Sequence, residues 1–202
     1  MCMRRICFLT FIISLMAVGT IFAQGMDWSN PRAQITGAPS FTVHEATYLP
    51  SWGIYHIPTQ AERSEIGNLA YSLQQVRNAY GKPMVIECWI RPTSVNPGKI
   101  DSSGRIVSDP NSQYKGRNYN REIARSSDGS EHVSGSAVDI KDPNKTLTDF
   151  LIANQKLLAD NGLWMENEVS TAGRVPANRW VHLDKKTSRG GEGGARYRIF
   201  KP

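Results

Sequence analysis

The 202-residue chain contains four histidines, His44, His56, His132 and His182. Two of them lie close to carboxylates. His132 stands seven residues before Asp139 in Ser130-Glu131-His132-Val133-Ser134-Gly135-Ser136-Ala137-Val138-Asp139, and His182 stands two residues before Asp184 in Trp180-Val181-His182-Leu183-Asp184. Side chains alternate along a strand. Trp180, His182 and Asp184 therefore share one face, with Val181 and Leu183 on the other. Asp139 likewise opposes Val138 and Ile140. The apolar residues must face a core, which sends Asp139, His182 and Asp184 to the opposite face of the sheet. Gly135 permits a turn that brings His132 to the same point. Two imidazoles and one carboxylate form a three-ligand zinc set, His132, Asp139 and His182, with a fourth position for water. His44 and His56 have no carboxylate or cysteine at ligand spacing and read as structural.

The elements that must position these residues follow from periodicity. Thr59 and Glu62 form a capping box for a helix whose stripe is Ile66, Leu69, Ala70, Leu73 and Val76, ending at Gly81 and Pro83. Met84 to Arg91 reads as a strand with Met84, Ile86, Cys88 and Ile90 toward the core and Glu87, Trp89 and Arg91 toward the site. Pro92 to Ser134 is a long polar loop with a short helix around Asn118 to Arg125. A second strand covers Ser136 to Ile140, and a second helix Thr146 to Asn161, with a capping signature at Thr146 and Asp149. Further strands are expected at Leu163 to Val169, Arg179 to Lys185 and Arg196 to Phe200. Phe41 to Pro58 reads as an irregular wrap. The order suggests an α+β domain with a mainly antiparallel sheet, helices on one face and the zinc site on the other.

At 40% hydrophobic and 21% charged residues, the composition is that of a globular chain and excludes coiled-coil, collagen-like and polytopic membrane classes. Met1 to Arg5 is basic, Ile6 to Phe22 apolar, and Ala23 small, the pattern of a secretory signal peptide over residues 1–23. An uncleaved anchor is the rival reading; the apolar run is shorter than the roughly 20 residues of a spanning helix. Residues 24–40 read as a poorly ordered lead-in, and 41–202 as a single domain with a glycine-rich basic C-terminal segment. Cleavage removes Cys2 and Cys7, leaving Cys88 with no internal disulfide partner and the role of a small buried hydrophobe. Loss of Arg4 and Arg5 takes the net charge from +6 to +4, too weak a balance for a nucleic-acid footprint.

The motifs Ser130-x-His132-x-x-Gly135-x-Ala137-x-Asp139 and Trp180-x-His182-x-Asp184 resemble the zinc D-Ala-D-Ala carboxypeptidase family, which shares its fold with the hedgehog signalling domain. The resemblance spans about Phe41 to Lys185. It implies one zinc per chain on His132, Asp139 and His182. It also implies a basic residue near substrate, at Arg91. By residue type, Trp89 and Trp180 read as aromatic walls of a pocket or as ordinary half-buried packing. Arg91 could equally pair with Glu87. Relatives carry a general base a few residues before the last zinc histidine, whereas here Asn178-Arg179-Trp180-Val181 offers none. Asp184 is the first choice for base and could equally orient His182; Glu87, Glu131, Glu166 and Glu168 follow. Cys88-Trp89 also replaces the small residues usual before the basic one. The implied function is an exported, periplasmic or secreted, monomeric peptidase cleaving peptidoglycan stem or cross-bridge peptides, with no nucleic-acid partner and no membrane insertion after cleavage. The alternative is an inactive, zinc-containing cell-wall-binding domain.

Overall fold

The computed structural model describes residues 25–166, 180–186 and 198–200. The expected signal segment, most of the glycine-rich basic C-terminal segment and the end of the strand expected at Leu163 to Val169 lie outside them. Among the described residues the architecture is α+β, with small, mainly antiparallel sheets, one long α-helix and four short ones. Among the described residues no helix is long and apolar enough to cross a membrane.

Five strands form the sheet that carries the site. They are β5 (Ile86–Cys88), β8 (Ala137–Lys141), β9 (Trp164–Glu166), β10 (Trp180–Asp184) and β11 (Ile199–Phe200). Their spatial order is β11-β9-β10-β8-β5, with only β11 and β9 parallel. In β8 and β10, Val138, Ile140, Val181 and Leu183 are buried in the main core. Their partners in alternation, Asp139 and His182, face the other side, as the alternation requires. The long helix α2 (Gln60–Tyr80) adds Ile66, Leu69, Ala70, Leu73 and Val76 to the same core. Each of the Ile, Leu and Val side chains, fully buried, contributes roughly 1.5–3 kcal/mol of transfer free energy. The capping box holds: Glu62 N–H donates to Thr59 Oγ1 at 3.3 Å and Thr59 N–H to the Glu62 carboxylate at 2.6 Å. Gly81 ends the helix at φ 72°.

Several expected elements differ. Residues 24–40, expected to be poorly ordered, hold β1 (Gln34–Ile35) and the start of β2 (Ala38–Thr42), with Trp28, Ile35 and Ala38 buried. Their apolar anchors are isolated in polar sequence, so burial holds them without any periodic signature. The wrap after Phe41 contains a short helix, α1 (Val43–Thr47), and strands β3 (Tyr48–Leu49) and β4 (Ile54–His56). The long loop contains the hairpin β6 (Pro97–Ile100) and β7 (Ile106–Ser108), which joins β3 and β4 in a second sheet. It also contains α3 (Tyr119–Glu122), close to where a short helix was expected. The Thr146 to Asn161 helix is two helices, α4 (Thr146–Ala153) and α5 (Gln155–Asp160). Asn154 separates them, its amide donating to the Phe150 carbonyl at 2.7 Å in place of helical continuity. The cap of α4 is also not Thr146 with Asp149. The buried Asp142 carboxylate accepts from the backbone N–H groups of Leu147 and Thr148.

The strand expected from Met84 to Arg91 shrinks to three residues, with a register shift. Ile86 opposes Ile140, and Cys88 opposes Asp139, so Glu87 is an extra residue in a bulge. A bulge of one residue reverses which side chains face which way. Cys88 therefore joins Asp139 on the site face, and Trp89 turns into the core.

Gly135 lies in the turn ahead of β8 at φ 85°, and a Cβ there would lie 2.7 Å from Ile66 Cγ1. We expect Gly135→Ala to cost about 1–3 kcal/mol from strained backbone and overpacking, read from urea unfolding. A change within about 0.5 kcal/mol, the range of neutral surface substitutions, contradicts this account.

Candidate metal centre

One row across the sheet supplies the site. Cys88 on β5 opposes Asp139 on β8, and Asp139 opposes His182 on β10. Continuing the β9–β10 register by one residue sets Glu166 opposite His182. Directly opposed residues share a face, with Cβ atoms about 4.5–5.5 Å apart. His132 enters from outside the sheet, on a 3₁₀ turn at Glu131–Val133.

His132 is locked in place. Its Nδ1 lies 2.6 Å from the Trp89 carbonyl, which can only accept, so Nδ1 carries the proton and Nε2 presents its lone pair to the site. The His132 carbonyl accepts from the Arg91 backbone N–H at 2.9 Å, and the Trp89 indole N–H donates to the Gly135 carbonyl at 2.9 Å. Trp89 is only 1% exposed and packs edge-on against Phe41. It is a clamp on the His132 turn, and the expectation of a substrate-facing wall is corrected on that ground. Trp180 is half-buried at the start of β10, on the face of His182 and Asp184.

The three expected ligands converge. His132 Nε2 lies 3.3 Å from Asp139 Oδ1, Asp139 Oδ1 2.9 Å from His182 Nδ1, and His182 Nδ1 3.2 Å from His132 Nε2. A tetrahedral ion with bonds of about 2.0–2.1 Å places its ligand atoms about 3.3 Å apart, so the spacing fits such an ion. Cys88 belongs to the cluster too: one ligand atom each of Cys88, His132 and Asp139 lie within 4.8 Å of one another. This set of imidazole, carboxylate and thiol groups could hold a metal ion.

Arg91 points into the cluster. Its Nη2 donates to Asp139 Oδ2 and lies 3.0 Å from His132 Nε2, and its Nε donates to Cys88 Sγ at 3.2 Å. The two Asp139 oxygens are thus divided, Oδ1 toward the histidines and Oδ2 toward the guanidinium. Glu87, the alternative partner for Arg91, pairs instead with Lys141 on the surface.

The electrostatics follow from burial and these contacts. Burial opposes ionisation of Asp139, but His132 and His182 hold its carboxyl well below the usual range. Burial pushes His132 down, against the pull of Asp139. His182 is also penalised by burial, yet its hydrogen bonds to Asp139 and Asp184 raise it to about 9. Burial pushes the Cys88 thiol up to about 11, against the lowering influence of Arg91.

Asp184 is fully buried, and its Oδ2 lies 3.3 Å from His182 Nε2, the ring nitrogen remote from Asp139. Its Oδ1 accepts from the Lys186 N–H at 3.1 Å. This geometry orients the ring and does not reach the space between the ligands, so the first choice for general base becomes a positioning residue. Glu131 is engaged with Ser136 and Lys186. Glu168 lies outside the described residues. His56 and His44 take structural roles: His56 accepts from the Asn96 N–H and pairs with Glu62, and His44 bonds Tyr55.

Sequence reasoning missed Cys88. The only signal was its residue type, since the bulge that turns it toward Asp139 has no mark in an alternating strand pattern. No protein-family model, curated protein or solved structure matches the chain.

Titrated with a divalent transition metal, the chain should bind one equivalent. His132→Ala or Asp139→Ala should abolish stoichiometric binding, and Asp184→Asn should weaken it about 10–100-fold. Unchanged affinity in Asp184→Asn rules out its orienting role.

Proposed function

We propose that the chain is an exported, zinc-dependent peptidase that cleaves peptidoglycan stem or cross-bridge peptides. The observation that carries this reading is the convergence of His132 Nε2, Asp139 Oδ1 and His182 Nδ1 within 3.3 Å of one another. His132, Asp139 and His182 would hold the ion. When bound, zinc supplies a Lewis acid for a carbonyl and lowers the pKa of a coordinated water to about 7.

The chain's own residues then divide the remaining tasks. Asp184 fixes the His182 ring so that Nδ1 faces the ligand cluster. Arg91 takes Asp139 Oδ2, which leaves Oδ1 for ligation, and ligation by His132 Nε2 takes the lone pair that Arg91 Nη2 also contacts. Glu166 is the carboxylate we assign as base: it follows His182 in the same cross-strand row, and Glu87 and Glu131 are held by lysines. In that role it takes a proton from the attacking water and returns it to the leaving amine.

The substrate class rests on the resemblance of the His132-to-Asp139 and Trp180-to-Asp184 motifs to the D-Ala-D-Ala carboxypeptidases. The signal-like N-terminus supports export, and the mild positive charge suits peptides bearing free carboxylates. The second reading, a wall-binding domain without turnover, is favoured by one observation: Asp184, two residues from His182, is committed to orienting that ring.

Mass analysis of muropeptides incubated with the zinc-loaded chain decides between the two. Release of D-alanine or cleavage of a cross-bridge supports the peptidase. Retention on sedimented peptidoglycan with no cleavage supports the binding domain. Glu166→Gln should keep its zinc and lose about 10²–10⁴-fold in turnover; undiminished turnover removes Glu166 as base.

A further inference from the structure

We propose that Cys88 is itself a ligand of this metal centre, adding a thiolate to His132, Asp139 and His182. The inference rests on the metal-centre reading but does not need the peptidase activity.

Three observations carry it. Cys88 is placed by register, directly opposite Asp139, which is directly opposite His182, so three adjacent strands each offer a ligand-type side chain to one face. The ligand atoms of Cys88, His132 and Asp139 already lie within 4.8 Å of one another. A zinc–sulfur bond near 2.3 Å with a zinc–nitrogen bond near 2.0 Å requires about 3.6 Å between the two donor atoms, so a closing motion of about 1 Å is enough. Finally, Arg91 donates through Nε to Cys88 Sγ at 3.2 Å and through Nη2 to Asp139 Oδ2. One guanidinium thus bridges the thiol and the carboxylate, the arrangement that holds two anionic ligands beside each other and orients both.

Ligation forms a metal–sulfur bond, breaks the S–H bond and releases the proton to solvent. Four protein ligands make a closed tetrahedral set, which zinc can expand to five to admit a further ligand. A thiolate in the set also selects the metal. Soft sulfur favours zinc or cobalt over magnesium, calcium or manganese, which prefer oxygen. An ion bound by the two imidazoles and the carboxylate alone would discriminate less.

Cobalt(II) reads the bond directly, because a thiolate ligand adds a sulfur-to-cobalt charge-transfer absorption in the near ultraviolet that nitrogen and oxygen ligands do not. The full chain, stripped of metal and given one equivalent of cobalt chloride, should show that band together with the visible bands of tetrahedral cobalt. Cys88→Ala should lose the charge-transfer band and keep the visible bands. Alkylation of Cys88 in the unsubstituted chain, followed by the mass of its tryptic peptide, should slow on addition of zinc; this arm requires no variant to fold. Stoichiometric cobalt binding with no charge-transfer band, or an alkylation rate indifferent to zinc, removes Cys88 and leaves the three-ligand centre standing. Failure of the unsubstituted chain to bind cobalt removes the centre itself, and this inference with it.

Discussion

The Asp139 carboxylate is buried on a strand whose neighbours Val138 and Ile140 belong to the core. An ionised carboxylate in such a place costs several kcal/mol unless its oxygens are paired. The local architecture answers that cost. His132 arrives from a turn, His182 from the next strand and Arg91 from the chain beyond the bulge. Each brings further commitments: His132 to the Trp89 carbonyl, His182 to Asp184, and Arg91 to Cys88. Removing the carboxylate would leave a half-buried guanidinium and two oriented imidazoles without their common partner.

Rigid elements hold these groups at the spacing a tetrahedral ion wants. The apolar half of β8 and β10 lies in one core with the stripe of α2, which fixes the opposite face by alternation alone. Gly135 lets the backbone pass Ile66 without a Cβ, and its carbonyl receives the Trp89 indole N–H. The His132 turn is thereby tied to the segment that follows β5. Candidate ligands from three adjacent strands and one turn thus share a single frame. That arrangement favours a pre-formed site over one assembled by loop closure.

Several donor groups meet the Arg91 guanidinium, which contacts Cys88, His132 and Asp139 at once. Nitrogen, oxygen and sulfur donors together suit a borderline ion such as zinc better than a hard one. The carboxylates nearby are separated by function: Asp139 at the centre, Asp184 behind an imidazole, Glu87 and Glu131 on surface lysines. Glu166 is set apart by its place in the cross-strand row.

Much of this was legible in the sequence. Alternation in Ala137 to Ile140 and Trp180 to Asp184 fixes which side chains leave the core, because a polar group on the apolar face would lack a partner. The Thr59 capping box and the Ile66 to Val76 stripe likewise define α2, and the types and spacing of His132, Asp139 and His182 mark a candidate ligand set. What the sequence left open depends on contacts between distant segments. Trp28 and Ile35 order the lead-in through burial against residues far along the chain, and no local pattern announces that. Whether Asp184 faces the ligands or the far side of the His182 ring depends on a side-chain rotamer and on the Lys186 backbone. The extra residue at Glu87 reverses the facing of Cys88 and Trp89, and it exists only because β5 pairs with β8 in a shifted register. Alternation is a property of one strand and can be read from it. Register is a property of two strands and is decided only when they meet.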